Sequence, residues 1–161
     1  MKEITKKLKV LRNVEIVNCY KACPSKAINP YRKNSNICVS YLTQKKDLDD
    51  NHIKLLKGRV FGCDSCQNYC PYNEKIEFSK IEEFYPYDFM NRDNSFELIN
   101  ASTKEFKESF FITSCGWRGK NVLKRNALIK INNDGGDISK VKTDSTYLKD
   151  YVDRLLNSNK I

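Results

Sequence analysis

The chain has 161 residues, 40% of them hydrophobic, and a formal net charge of +9. That size suffices for one domain, or for a small cofactor module with a helical appendage. No apolar run approaches the ~20 residues that cross a bilayer, and the charged first ten residues lack the apolar stretch of a secretory signal, which excludes a membrane span and points to the cytoplasm.

Along the chain, Ile4, Leu8, Leu11 and Val14 recur at a weak helical spacing within residues 1–18. Residues 19–73 hold six of the seven cysteines. Pro24, Pro30, Pro71, Gly58 and Gly62 break this region into short turns and helices. Within it, residues 47–56 fit one helix. His52, the only histidine, sits among Asp49, Asp50 and Lys54 and reads as a surface residue. Residues 74–100 mix acids with Phe78, Phe84, Tyr85, Tyr87 and Phe89 around Pro86, an irregular wrap over the cysteine region.

From Thr103 the pattern turns helical. Ser102 or Thr103 can cap a helix whose first turn holds Glu105. Beyond Gly116 and Gly119, Val122, Leu123, Ala127, Ile129 and Ile131 interleave with Lys124, Arg125 and Lys130, as on an amphipathic helix. A turn at residues 133–136 precedes a last helix over residues 145–156, with Leu148, Tyr151, Val152 and Leu155 on one face. The expected class is α+β, mostly α.

Charge is unevenly spread. Residues 1–33 hold nine basic residues against two acids, residues 34–103 eight against eleven, and residues 104–130 seven against two. Two basic blocks therefore flank an acidic middle. Such blocks are either solvated faces or the electrostatic footprint of a nucleic acid, whose phosphates release counterions to Lys and Arg.

The cysteines carry the chemistry. Cys63-x2-Cys66-x3-Cys70-Pro71 follows Cys19-x3-Cys23-Pro24, with Cys38 between them. The bacterial iron–sulfur run is C-x2-C-x2-C-x3-C-P, so the first copy here has lost its opening half. Counting back from Cys19 puts the missing ligands at Asn13 and Ile16, neither of which supplies a thiolate. In two-cluster ferredoxins the cysteine before proline ligates the neighbouring cluster. That crossover joins Cys23 to Cys63 and Cys66, and Cys38 supplies a fourth thiolate. One 4Fe–4S cluster is therefore expected. Cys19 and Cys70 remain as the remnant of a second site, too few for a second cluster unless another chain or an unusual ligand completes it. The alternative is a four-cysteine zinc site, although zinc modules usually pair two C-x2-C units and this chain has one. Cys115, beside Gly116 and Trp117, reads as a packing residue.

Three segments, in order, resemble the epoxyqueuosine reductase family. Ile37-Cys-Val-Ser-Tyr-Leu-Thr43 is similar to its Cys-Ile-Ser-Tyr-Leu-Thr segment. Gly62-Cys-Asp-Ser-Cys-Gln-Asn-Tyr-Cys-Pro-Tyr-Asn73 resembles its second cluster motif, and Trp117-Arg-Gly-Lys-Asn-Val-Leu-Lys-Arg-Asn-Ala-Leu-Ile129 its basic helical segment. That family reduces epoxyqueuosine in tRNA to queuosine with cobalamin and two 4Fe–4S clusters. The resemblance implies a ferredoxin-like iron–sulfur module at residues 19–100, wrapped by the aromatic stretch, and a short helical-repeat-like (HEAT-like) region at residues 101–161. Residues 1–18 would be a degenerate N-terminal segment.

By the same resemblance, Cys23, Cys38, Cys63 and Cys66 correspond to the cluster nearest the cobalamin. Ser40 and Asp64 lie where the module touches the corrin, and Arg118, Lys120, Lys124 and Arg125 match the tRNA-facing segment. Nothing in this sequence resembles the family's N-terminal cobalamin domain, so the chain looks like the C-terminal part, truncated or split and not active alone. A separately encoded cobalamin domain and tRNA are the partners this implies. Two other readings stay open, a ferredoxin-like electron carrier and a non-catalytic RNA-binding remnant.

Overall fold

The computed structural model describes residues 18–29, 31, 33–91 and 95–158. The weak helical pattern of Ile4, Leu8, Leu11 and Val14, and the positions of Asn13 and Ile16, lie outside them. Prolines and glycines keep the elements of the cysteine region short. These are α1 (Asn18–Ala22), α2 (Val39–Leu42), α3 (Asp50–Leu56) and α4 (Ser65–Asn68). Helix α3 starts later than the sequence pattern suggests, because Asp49 is its cap and its carboxylate accepts the His52 amide at 2.8 Å. It stops where Lys57 and Gly58 turn left-handed, with φ of +46° and +72°. A Cβ on Gly58 would stand 3.4 Å from Asn133 Nδ2, so this end lies close against another helix.

Two expectations change here. His52 is no open surface residue: its side chain is only 17% exposed, with Nδ1 lying 3.0 Å from Asp49 Oδ2. The β component of an α+β fold also falls away. Among the described residues there is no strand, only a bridge between Ile28 and Lys33. One bridged pair with no neighbouring strand gives no sheet.

The aromatic stretch wraps less than expected. Phe89 alone packs inward, its ring 5.1 Å from that of Phe110 and 5.8 Å from that of Tyr87. Phe78 and Phe84 are 90% and 72% exposed. The sequence pattern also hides a helix, α5 (Ser95–Asn100), which buries Leu98 and Ile99. Helix α6 (Thr103–Glu108) begins as read. Ser102 Oγ accepts the Glu105 amide at 3.1 Å and the Glu105 carboxylate accepts the Ser102 amide at 2.7 Å, a complete capping box.

Helix α7 (Lys120–Asn133) is the centre of the molecule. It is not amphipathic in the expected sense. Val122, Leu123, Arg125, Asn126, Ala127, Leu128, Ile129 and Ile131 are all buried, because α5, the final helix and the loop after α2 pack against it. That final helix, α8 (Thr146–Ser158), buries Leu148, Tyr151 and Leu155, and half-buries Val152, on the face read from the sequence. One core joins Leu42, Leu48 and Leu56 to Leu98, Phe106, Leu128 and Leu155, so it draws on both sides of residue 100. No helix among the described residues is long and apolar enough to cross a membrane.

Arg125 ties the loop to the core. It is fully buried, with Nη2 3.0 Å from the Lys45 carbonyl and Nη1 2.9 Å from the Lys46 carbonyl. Its Nε donates to Asn126 Oδ1 at 2.7 Å, and its guanidinium lies 5.4 Å from the Tyr151 ring centroid. Arg125→Met should cost about 3 kcal/mol by leaving the Lys45 carbonyl and Asn126 Oδ1 unpaired, read as a lower urea midpoint. Arg125→Lys, which cannot span both carbonyls, should recover only part of the loss.

Candidate metal centre and basic clefts

Short helices present the cysteines. Cys23 closes α1, its amide donating to the Cys19 carbonyl at 3.1 Å. Cys38 is the N-cap residue of α2, and its carbonyl accepts the Leu42 amide at 2.9 Å. Cys63 lies one residue before the cap of α4, and Cys66 lies on that helix. Helix α1 packs on α4, which brings the first cysteine motif to the second.

Cys66 feels the three other thiols of this region. Burial pushes the Cys66 thiol above its ordinary value, and negative charge at Cys63, Cys23 and Cys38 pushes it further. Cys23 behaves oppositely. Its burial raises the thiol, but hydrogen bonds from the Ile28, Ala27 and Ser25 amides and the Ser25 hydroxyl outweigh that and hold it below the ordinary value. Donors arranged around a sulfur favour its thiolate form, which is the form that ligates metal.

Around tetrahedral zinc, four sulfurs at about 2.3 Å from the metal crowd within about 4 Å of one another. Among the described residues, no group of three or more His, Cys, Asp or Glu side chains makes such a site. Cys19, on α1, and Cys70, just past α4, are half-buried. Ser40 is half-buried and Asp64 exposed. Cys115 is half-buried against the core, 2.9 Å from Thr113 Oγ1.

A polar network that sequence reasoning missed holds the ligand segments together. Thr43 Oγ1 donates to the Ser40 carbonyl at 2.8 Å and accepts the Gly62 amide at 3.1 Å. It thus links the helix after Cys38 to the residue before Cys63. Asn126 Nδ2 donates to the Thr43 and Val60 carbonyls, each at 2.7 Å. Thr43 and Asn126 are both fully buried. The available signal was a polar residue at an apolar register of a core helix, which must be paired.

The basic residues divide. Arg118 and Lys120 line a cleft of about 680 Å³ at the start of α7, with Lys46, Asn121 and Tyr147. The Nε of Arg118 donates to the Gln44 carbonyl at 2.6 Å, and its guanidinium lies 4.7 Å from the Trp117 ring centroid. Lys120 donates to Thr103 Oγ1 at 2.6 Å. Lys124 turns toward the α5–α6 joint, donating to the Ala101 carbonyl at 2.7 Å, and burial followed by Lys120 holds its ammonium below the ordinary value. Arg125 corrects the sequence expectation: a fully buried guanidinium bonded to Lys45, Lys46 and Asn126 does not face a ligand in solvent. A second cleft, of about 770 Å³, contains Lys21, Lys26, Lys57 and Arg59, with Cys23 in its wall.

Residues 17–73 match the 4Fe-4S double cluster binding domain family, a stretch that begins after Asn13 and Ile16. The epoxyqueuosine reductase of Listeria monocytogenes is 38% identical over 141 residues, covering 86% of this chain and 35% of the relative. That of Bacillus subtilis is 37% identical over 115 residues, 70% of this chain and 30% of the relative. A crystal structure of epoxyqueuosine reductase with a tRNA-Tyr epoxyqueuosine-modified tRNA stem loop aligns with a TM-score of 0.78 and 31% identity, over 87% of this chain and 40% of that one. The chain spans about a third of the length of these curated relatives.

The network makes a distinct prediction. Thr43→Val keeps the shape but removes the acceptor of the Gly62 amide, and should cost about 1–3 kcal/mol in unfolding. Iron taken up on anaerobic reconstitution should fall with it. Thr43→Ser should restore both, and equal iron uptake by the Val and Ser variants would show that the hydroxyl does not organise the site.

Proposed function

The chain is a homologue of part of the epoxyqueuosine reductases, and we propose that it supplies the iron–sulfur and RNA-contacting portion of such an enzyme. The observation that carries this is the packing of the Cys23 helix on the helix of Cys66, within a stretch that holds Cys23, Cys38, Cys63 and Cys66 and matches a cluster-binding family. These four would hold one 4Fe–4S cluster, which when bound supplies one-electron transfer. Cys23 contributes a thiolate supported by backbone amides, and Thr43 and Asn126 keep the Cys38 and Cys63 segments in register. Cys19 and Cys70 lack the two further thiolates of a second cluster, since Asn13 and Ile16 stand in those places.

In this reading, residues 19–100 act as the ferredoxin-like module and residues 101–161 as a short HEAT-like grip for tRNA. Arg118 and Lys120 contact phosphate from the cleft at the start of α7. Lys124 contributes at its edge, while Arg125 acts from within as a clamp. Ser40 and Asp64 meet the corrin of a separately supplied cobalamin domain, and the assembly works in the cytoplasm. Reduction of epoxyqueuosine then belongs to that assembly.

Anaerobic reconstitution should give about four irons per chain. Alanine at Cys23, Cys38, Cys63 or Cys66 should abolish this, and alanine at Cys19 or Cys70 should not. Zinc alone, or near one iron, would refute the cluster. For RNA, Arg118→Ala with Lys120→Ala should reduce the slope of log affinity against log salt by about 2, roughly one for each phosphate no longer neutralised. A four-iron protein with no salt-dependent tRNA binding is an electron carrier instead.

A further inference from the structure

The cleft that Cys23 walls is lined by four cations, Lys21, Lys26, Lys57 and Arg59, and by no Asp or Glu among the described residues. The fold itself places two of them. Lys26 Nζ lies 3.0 Å from the Lys21 carbonyl and 3.4 Å from that of Tyr20, at the end of α1. Arg59 Nη2 donates to Ser65 Oγ at 2.9 Å, at the start of α4. Lys57 is set by the left-handed turn that ends α3. Three separate segments thus converge to make one positive concavity. Tyr69 stands 64% exposed in its lining, the aromatic kind of side chain enriched at the centre of protein contacts.

Position decides what such a concavity serves. Its wall includes Cys23, one of the four proposed cluster ligands, so a group bound here is separated from the cluster by a single ligand residue. A phosphate backbone would satisfy the charge equally well, but it has no use for the thiolate. We propose that this cleft docks a one-electron carrier protein with an acidic surface, and that the electron enters beside Cys23. The proposal rests on the four-thiolate cluster. One electron leaves the reduced carrier and enters the oxidised cluster, with no proton or covalent bond exchanged.

Reduced flavodoxin, an acidic flavin carrier, is the probe. With reconstituted protein, the second-order rate of flavodoxin oxidation should fall about tenfold from low to high salt. It should fall about tenfold in the double variant Lys21→Glu, Lys57→Glu, while dithionite reduces that variant as fast as the parent. Without any turnover, carbodiimide cross-links to flavodoxin should map to Lys21 and Lys57 and disappear in the double variant. An unchanged flavodoxin rate with cross-links elsewhere would overturn the proposal. So would an unchanged rate with weakened tRNA retention, which would make the cleft an RNA contact. Iron analysis before flavodoxin is added separates these outcomes from failure of the cluster itself.

Discussion

The carboxamide of Asn126 reaches from the middle of α7 to two backbone carbonyls, those of Thr43 and Val60, at 2.7 Å each. Thr43 follows the Cys38 helix, and Val60 precedes the Cys63 motif. Neither segment has a sheet or a long helix to hold it, since its own elements run to only a few residues. Short helices are marginal on their own. The separation of the two ligand segments is therefore set from outside, by a core helix. Each bond contributes only about 1 kcal/mol net, but an unpaired buried carbonyl costs about 1–3 kcal/mol. That asymmetry makes the spacing specific, because any slip leaves polar groups stranded.

The same helix, with the turn before it, explains what the basic residues there do. Arg118, Arg125 and Asn126 all donate to one backbone stretch, at Gln44, Lys45, Lys46 and Thr43. A guanidinium directed at carbonyls supplies charge-assisted bonds without a carboxylate partner. The positive charge of residues 104–130 is therefore partly internal architecture. Arg118 and Lys120 line the cleft where α7 begins, with Lys46 and Asp47, while Lys104 stays exposed on α6.

Much of this was legible in the sequence. The C-x2-C-x3-C-P spacing pointed to the cluster-binding family that residues 17–73 match, because ligand spacing within one motif is local. The capping box at Ser102 and the apolar face of α8 were equally readable, since both depend on residues three or four apart. What escaped depends on distant partners. Arg125 has the composition of a surface residue, and only its bonds to residues 79 and 80 positions away make it internal. Helix α5 was hidden within an aromatic, acidic stretch because its two buried apolar residues, Leu98 and Ile99, gain their meaning from packing on α7. The β component failed for a related reason, since pairing needs a neighbour that Ile28 and Lys33 do not have beyond each other.

The length of the Asn126–Thr43 connection has a consequence for biogenesis. The two residues are 83 positions apart, and the Leu48 amide donates to the Tyr151 hydroxyl across 103. A chain made from its N-terminus at about 5–20 residues per second exposes all six motif cysteines seconds before their clamp is synthesised. During that interval the thiols lack the register that α7 imposes. The spacing of the cysteine segments is thus a property of the finished fold, available only once the last helices exist.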